Sequence, residues 1–130
     1  MVATTTTIFV VDDDDFVRDA LRSLLKSAGF KVEVFESAHS FLNRRHPQRK
    51  GMLVLDVRMP GKGGLELQRE LADSGVAMPI IFVTAYRDVQ ARAKAMAAGA
   101  VAFLQKPFDE RDLFDVIYLG LDHISKGLSD

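Results

Sequence analysis

Residues 52–61 read Met-Leu-Val-Leu-Asp-Val-Arg-Met-Pro-Gly. Four apolar residues lead directly into Asp56, and Pro60 and Gly61 then mark a turn. A short apolar run that is bounded by turn residues is typical of a strand buried on both faces. In an open parallel sheet, ligands bind at the carboxyl ends of such strands. The stretch therefore places Asp56 where a functional site is expected.

Apolar runs recur on both sides of this stretch, and a helical pattern follows each of them. The predicted strands cover residues 8–11, 31–35, 52–55, 79–84 and 101–104. The predicted helices are one that ends at Gly29, a short one capped by Ser37, segments 65–71 and 89–98, and a last one capped by Asp109. Because parallel strands need crossover connections, this alternation predicts an α/β fold, a doubly wound parallel sheet between two layers of helices. Right-handed crossovers favour the flavodoxin-like (βα)5 strand order 2-1-3-4-5.

Composition and charge narrow the class of protein. The 130 residues are 48% hydrophobic and 27% charged, which is typical of one soluble domain with a real core. We expect a folded domain at 8–124, between an N-terminal tail at 1–7 and a C-terminal tail or the start of a linker at 125–130. A net charge of −1 indicates no nucleic-acid-binding surface, and the lack of cysteine excludes disulfides and thiolate metal sites.

The sequence also carries no membrane or export signal. No apolar run approaches the roughly 18 residues that are needed to span a membrane. Residues 1–7 lack the positive region and the apolar core of a secretory signal. We therefore expect a cytoplasmic protein without a membrane partner.

In the strand order 2-1-3-4-5, the first and third strands are neighbours, so Asp12 and Asp13 would meet Asp56 in one crevice. Two carboxylates about 4 Å apart repel by roughly 4 kcal/mol at an effective dielectric near 20, so a positive group must offset them. Oxygen ligands without His or Cys suit Mg²⁺, with Mn²⁺ as a substitute. Thr84 and Lys106 close the next two strands and offer a hydroxyl and an ammonium group to phosphoryl oxygens.

Together, these residues carry a family resemblance. The chain is similar to the receiver domain of two-component response regulators, the CheY-like family, from Ile8 to about His123. Four motifs match in order and separation: Val10-Val11-Asp12-Asp13, residues 55–60, Val83-Thr84-Ala85 and Lys106-Pro107-Phe108. Each motif alone is common, whereas the combination is specific. A narrower similarity to FixJ-like receivers rests on Val17-Arg18, residues 27–30, residues 58–61, Ala95-Met96 and Gly99-Ala100.

The resemblance implies a role for individual positions. Asp56 corresponds to the phosphoacceptor, and Thr84 and Lys106 to the two phosphate-sensing residues. The implied metal ligands are Asp13, Asp56, the backbone carbonyl of Arg58 and, through water, Asp12.

The resemblance also implies a switch residue and two residues that flank the phosphoryl group. Phe103 matches the aromatic residue that rotates on activation, and Arg58 and Tyr86 match the variable positions that tune dephosphorylation. FixJ-like receivers often carry Gly-His-Gly-Asp-Val-Pro after the strand-four threonine, where residues 85–90 read Ala-Tyr-Arg-Asp-Val-Gln. The start of the fourth helix is therefore bulkier and more basic here.

The implied function is regulatory and not enzymatic, apart from the domain's own phosphotransfer and slow autodephosphorylation. A sensor histidine kinase would phosphorylate Asp56, and helix four, strand five and helix five would then present a changed surface. Phosphorylation-dependent homodimerisation through that surface is expected, helped by a second apolar face on the last helix at Phe114, Tyr118 and Leu121. Transcription would be regulated through an output domain not present in this chain, without direct nucleic-acid binding by this domain. A stand-alone regulator or a phosphorelay shuttle is the alternative.

Two other classes of protein share parts of this pattern. A haloacid-dehalogenase-like phosphatase also uses an aspartyl phosphate on a parallel sheet, but it typically places a second Asp where this chain has Arg58. A flavodoxin-like cofactor module would need a hydroxyl- and Gly-rich phosphate loop after the first strand, where this chain has the acids 12–15. The acids would repel phosphate unless a metal intervenes.

Overall fold

The computed structural model describes residues 6–44, 51–85 and 87–129, with the backbone alone at 125–129. Within these residues, five strands alternate with five helices. The strands are β1 (Thr7–Val11), β2 (Lys31–Phe35), β3 (Gly51–Asp56), β4 (Ile80–Thr84) and β5 (Ala102–Gln105). The helices are α1 (Asp15–Ser27), α2 (Ala38–Leu42), α3 (Gly64–Asp73), α4 (Val89–Ala97) and α5 (Glu110–Ser129).

The strands form one parallel sheet in the order β2-β1-β3-β4-β5, which confirms the predicted topology. Successive side chains of a strand point to opposite faces, so each strand feeds two cores. Phe9, Leu53 and Phe82 belong to the cluster on the side of α2, α3 and α4. Ile8 and Met52 belong to the cluster that includes the buried faces of α1 and α5. The sheet is therefore covered on both sides, as a doubly wound fold requires.

Side-chain caps mark where several helices begin. Asp14 accepts hydrogen bonds from the backbone N–H groups of Phe16 and Val17 at the start of α1. Asp109 accepts one from the backbone N–H of Asp112 at 2.9 Å in the first turn of α5. The cap at Asp109 was predicted, and at the first helix the structure selects Asp14 over its neighbour Asp15. A short carboxylate suits this role because it satisfies N–H groups that have no partner inside the helix.

Helix α5 is longer than the sequence predicted. It continues to Ser129, past the expected domain boundary at residue 124. The proposed division at 1–7, 8–124 and 125–130 stays a prediction, and residues 1–5 and 130 lie outside the described part of the chain.

The prediction that Leu121 lies on a second, exposed apolar face of α5 is wrong. Leu121 is buried together with Leu113 and Ile117, because steps of four residues place all three on one stripe of the helix. Phe114 is half-buried against the same core. Tyr118 alone of the three expected residues is mainly exposed, at 56%, and its ring lies 6.3 Å from that of Phe30. Among the described side chains of α5, the exposed apolar surface therefore consists of Tyr118 and of Leu119, which is 46% exposed and was not among the expected residues.

None of the helices within the described residues has the length and apolarity that crossing a membrane would require.

Helix α3 begins against the end of β3, and Gly64 permits this close approach. The N–H of Gly64 donates to the carbonyl oxygen of Val57 at 2.9 Å. A Cβ atom at Gly64 would overlap the backbone carbonyl of Asp56. We expect Gly64→Ala to lower the free energy of unfolding by about 1–3 kcal/mol, because the backbone must shift to remove the overlap. Urea unfolding measures this change.

Gly120 in α5 provides the matched control for this prediction. A Cβ atom there would lie 2.7 Å from Cε of Met52, the flexible end of a side chain. The helix propensity of Ala is about 1 kcal/mol better than that of Gly, which offsets the cost of moving Met52. We expect Gly120→Ala to change stability by less than about 1 kcal/mol. Equal losses of stability in Gly64→Ala and Gly120→Ala would contradict a steric constraint between residue 64 and the backbone carbonyl of Asp56.

Candidate functional site

Four strand ends bring their polar side chains to one edge of the sheet. Asp12 follows β1, Asp56 ends β3, Thr84 ends β4 and Lys106 follows β5. Strands β1 and β3 are paired in register, so Asp12 and Asp56 lie side by side. The backbone N–H of Lys106 donates to the carbonyl oxygen of Thr84 at 2.7 Å and continues the pairing of β4 with β5. The parallel topology therefore assembles the predicted crevice.

Three carboxylates occupy this crevice. One oxygen atom from each of Asp12, Asp13 and Asp56 lies within 4.8 Å of the others. Asp12 is fully buried, Asp56 is 7% exposed, and Asp13 faces solvent. Oδ1 of Asp12 accepts a hydrogen bond from the backbone N–H of Asp14 at 2.9 Å, which fixes the orientation of its carboxylate. The three acids therefore lie close enough together to share one bound cation.

Lys106 supplies the positive charge inside the crevice. Its Nζ donates to Oδ2 of Asp12 at 3.0 Å and lies 3.9 Å from Oδ2 of Asp56. Only 18% of its side chain is exposed. The ammonium group therefore offsets part of the repulsion between the two buried acids.

The charge balance at Asp56 nevertheless remains unfavourable for its ionised form. Burial is the main cause that raises the pKa of Asp56 from 3.8 to about 6, followed by the charge of Asp12. Lys106 and the backbone N–H of Arg58, which donates to Oδ1 of Asp56 at 3.4 Å, lower this pKa, and Asp13 raises it slightly. A further cation beside Asp56 would favour the carboxylate form.

The donor set fits a hard divalent cation. It consists of the carboxylate oxygens of three aspartates, two of which are buried. Oxygen donors with an excess of negative charge favour Mg²⁺ or a similar ion. Arg58 lies in the loop directly after β3, where its carbonyl is close in sequence to Asp56. The carbonyl's part as a ligand and the water-mediated part of Asp12 stay predictions.

Of the remaining predicted site residues, one lies beside the crevice, one lies on β5 and one is outside the described part of the chain. Thr84 is buried beside the crevice, at 1% exposure. Phe103 on β5 is half-buried, and its ring centroid lies 6.0 Å from that of Phe82. Tyr86 lies outside the described residues. The switching role of Phe103 and the tuning role of Tyr86 stay predictions.

One contact of the site was missed by sequence reasoning. The guanidinium group of Arg58 reaches Asp88, with NH2 3.5 Å from Oδ2. Asp88 caps α4 by accepting a hydrogen bond from the backbone N–H of Ala91 at 2.9 Å. The only sequence signal was an acid directly before the fourth helix, which indicates a cap but not a partner thirty positions away.

Comparison with known proteins decides the family. Residues 8–118 match the family model of the response regulator receiver domain. The chain belongs to the response regulator receiver family. Receiver domains are regulatory and not classical enzymes, so the phosphatase and flavodoxin-like cofactor alternatives are not supported.

Individual relatives agree with the FixJ-like pattern. The response regulator protein TmoT of Ectopseudomonas mendocina is 46% identical over 114 residues, which cover 88% of this chain and 52% of that protein. The transcriptional regulatory protein FixJ of Azorhizobium caulinodans is 43% identical over 114 residues, which cover 88% and 54%. The chain thus spans about half the length of the curated relatives it matches.

Solved structures show the same fold. The crystal structure of FixJ-N resembles this chain with a TM-score of 0.84 and 39% identity, covering 91% of this chain and 94% of that one. The CheY-like family, the FixJ-like similarity and the flavodoxin-like fold predicted from the sequence are therefore confirmed.

Proposed function

We propose that this chain is a phosphorylation-activated receiver domain in which Asp56 accepts a phosphoryl group from a sensor histidine kinase. The observation that carries the proposal is the crevice itself. A buried carboxylate ends the central strand, two more acids lie within 4.8 Å of it, and Nζ of Lys106 lies 3.9 Å away. This arrangement combines a nucleophile, a cation-binding set and a phosphate-binding amine.

Asp12, Asp13 and Asp56, with the carbonyl of Arg58, would hold Mg²⁺, or Mn²⁺ in its place. When bound, the ion would neutralise charge on the transferring phosphoryl group and keep Asp56 ionised. An oxygen of Asp56 would attack phosphorus in line, and the bond from phosphorus to the kinase histidine nitrogen would break. Since the pKa of Asp56 is about 6 without a cation, most of the carboxylate is already ionised at neutral pH.

Lys106 and Thr84 would respond to the new phosphoryl group. The phosphoryl group adds about −1.5 to −2 charge, so the ammonium of Lys106 gains a stronger partner than Asp12. The hydroxyl of Thr84 would be drawn towards a phosphoryl oxygen, and Phe103 would move into the vacated space. The surface of α4, β5 and α5 would then change between two states and support homodimerisation.

The regulated process is proposed to be transcription, through an output domain outside this chain. Its support is that relatives such as TmoT and FixJ are named regulators and are about twice as long as the matched part. A stand-alone regulator or a phosphorelay shuttle is the alternative. We further propose a cytoplasmic location, no direct nucleic-acid binding by this domain, and catalysis limited to its own phosphotransfer and autodephosphorylation.

Labelling with a small phosphodonor such as acetyl phosphate tests the proposal. The parent protein should become phosphorylated with Mg²⁺ and remain unlabelled with a chelator, because the crevice needs the cation. Asp56→Asn should abolish labelling, since the amide is not a nucleophile. Asp115→Asn, which removes an exposed carboxylate on α5, is the matched control and should be labelled normally. Labelling that persists in Asp56→Asn would refute the assignment.

A further inference from the structure

Asp88 connects the crevice to helix α4 through both oxygens of its carboxylate. Oδ1 accepts a hydrogen bond from the backbone N–H of Ala91 and so caps the helix. Oδ2 lies 3.5 Å from a guanidinium nitrogen of Arg58. The backbone N–H of Arg58 in turn donates to Asp56 at 3.4 Å. A continuous chain of polar contacts therefore runs from Asp56 through Arg58 and Asp88 to the first turn of α4.

The ion pair in this chain is loose and accessible. The side chain of Arg58 is 58% exposed and that of Asp88 is 29% exposed, so solvent screens their attraction. The capping N–H of Ala91 is the main cause that lowers the pKa of Asp88, and Arg58 also lowers it. An ion pair this exposed is weak enough to be broken by a stronger anion.

A phosphoryl group on Asp56 would be such an anion. It carries about twice the charge of a carboxylate and has three acceptor oxygens, which suit the planar fork of an arginine. Arg58 follows Asp56 by two residues, so a change of side-chain rotamer would move its guanidinium group without a large movement of the backbone.

We propose that Asp88 is a positioning residue that holds Arg58 on α4 in the unphosphorylated protein, and that a phosphoryl group on Asp56 competes with it for Arg58. The inference rests on the proposed phosphorylation of Asp56. Departure of Arg58 would leave the cap of α4 intact and would remove this ion pair between the helix and the loop after β3. By reciprocity, weakening the pair strengthens binding of the phosphoryl group by the same factor.

Two substitutions separate the ion pair from the helix cap. Asp88→Asn keeps an oxygen that caps about as well as aspartate, but it removes the charge that holds Arg58. Arg58→Gln removes the guanidinium charge. The probe is beryllium trifluoride with Mg²⁺, a phosphoryl mimic, titrated onto the full chain and followed by fluorine NMR. Urea unfolding of each variant shows whether the cap of α4 is still formed. Asp88→Ala removes both the cap and the ion pair with Arg58, so its loss of stability is the reference for a missing cap.

Asp88→Asn is expected to lower the half-saturating concentration of the probe about two- to five-fold, the range that an exposed ion pair supports. In the Arg58→Gln background, Asp88→Asn should have no effect, because no guanidinium is left to release. The gain should also shrink at high salt. A purely structural role would give the same effect in both backgrounds.

The outcomes separate this inference from the proposed function. An Asp88→Asn effect that is absent, or equal in both backgrounds, overturns the competition for Arg58, while labelling of Asp56 would still stand. A parent protein that neither binds the probe nor is labelled by a phosphodonor overturns both.

Discussion

The Asp56→Asn variant is expected to be more stable than the parent protein by up to about 3 kcal/mol at pH 7.5 without divalent cations. Burial and the charge of Asp12 raise the pKa of Asp56 from 3.8 to about 6. Each pKa unit corresponds to about 1.4 kcal/mol, and the cost falls on the ionised form in the folded state. Asparagine has nearly the same shape without the charge, so it removes this cost.

The pH dependence of this gain has a definite sign. The folded protein holds the Asp56 proton more tightly than the unfolded chain does, so protonation stabilises the parent. This contribution is fully present below the unfolded pKa of 3.8 and is lost as the pH rises through about 6. The stability advantage of Asp56→Asn should therefore be small near pH 4, increase through about pH 6 and level off above about pH 7. Urea unfolding at a series of pH values with a chelator measures it.

A matched control uses the same chemical change at an exposed position. Asp115→Asn on α5 should alter the free energy of unfolding by less than about 0.5 kcal/mol at every pH. Added Mg²⁺ should reduce the advantage of Asp56→Asn, because an ion that binds the folded state stabilises the parent through its three acids. An advantage as large at pH 4 as at pH 7.5 would contradict electrostatic strain at Asp56.

Lys106→Met is expected to have the opposite effect and to lower the free energy of unfolding by about 3–5 kcal/mol at pH 7.5 without divalent cations. Nζ of Lys106 lies 3.0 Å from Oδ2 of the fully buried Asp12 and 3.9 Å from Oδ2 of Asp56. Methionine keeps most of the apolar stem and removes the ammonium group. Two buried carboxylates then face each other with less compensation, which is costly in a medium of low polarity.

Lys62→Met is the control for this variant. Lys62 forms a salt bridge with Glu70 at the surface, so its loss should cost at most about 1 kcal/mol. The loss in Lys106→Met should become smaller in the Asp56→Asn background, because the two side chains share one electrostatic network. Equal losses for Lys62→Met and Lys106→Met would show that the crevice does not depend on the charge of Lys106.

Most of the fold could be predicted because its signals are local. The apolar runs, the turn residues and the capping acids Asp14 and Asp109 each depend on neighbours within a few positions. The strand order followed from crossover rules that apply to parallel sheets in general. Element ends were less accurate: β5 covers Ala102–Gln105, displaced by one residue at both ends from the predicted 101–104, because hydrogen bonds to β4 set its limits.

The burial of Leu121 was within reach of the sequence, because Leu113, Ile117 and Leu121 recur at steps of four residues and so share one helix stripe. The interpretation that placed Leu121 on a second face overlooked this spacing. The contact of Asp88 with Arg58 is different, because an acid before a helix predicts a cap whether or not an arginine lies nearby.

The sequence by itself determined which charged residues stand at the strand ends and, through their order and spacing, the family. Only the tertiary structure decided how those charges act on one another. Asp12 and Lys106 are 94 positions apart in the chain and 3.0 Å apart in space, and the pKa of Asp56 follows from burial and from these neighbours. The tie between Arg58 and Asp88 arises in the same way. Secondary structure depends on near neighbours in sequence, whereas Coulomb energy and desolvation depend on distance and on the exclusion of water.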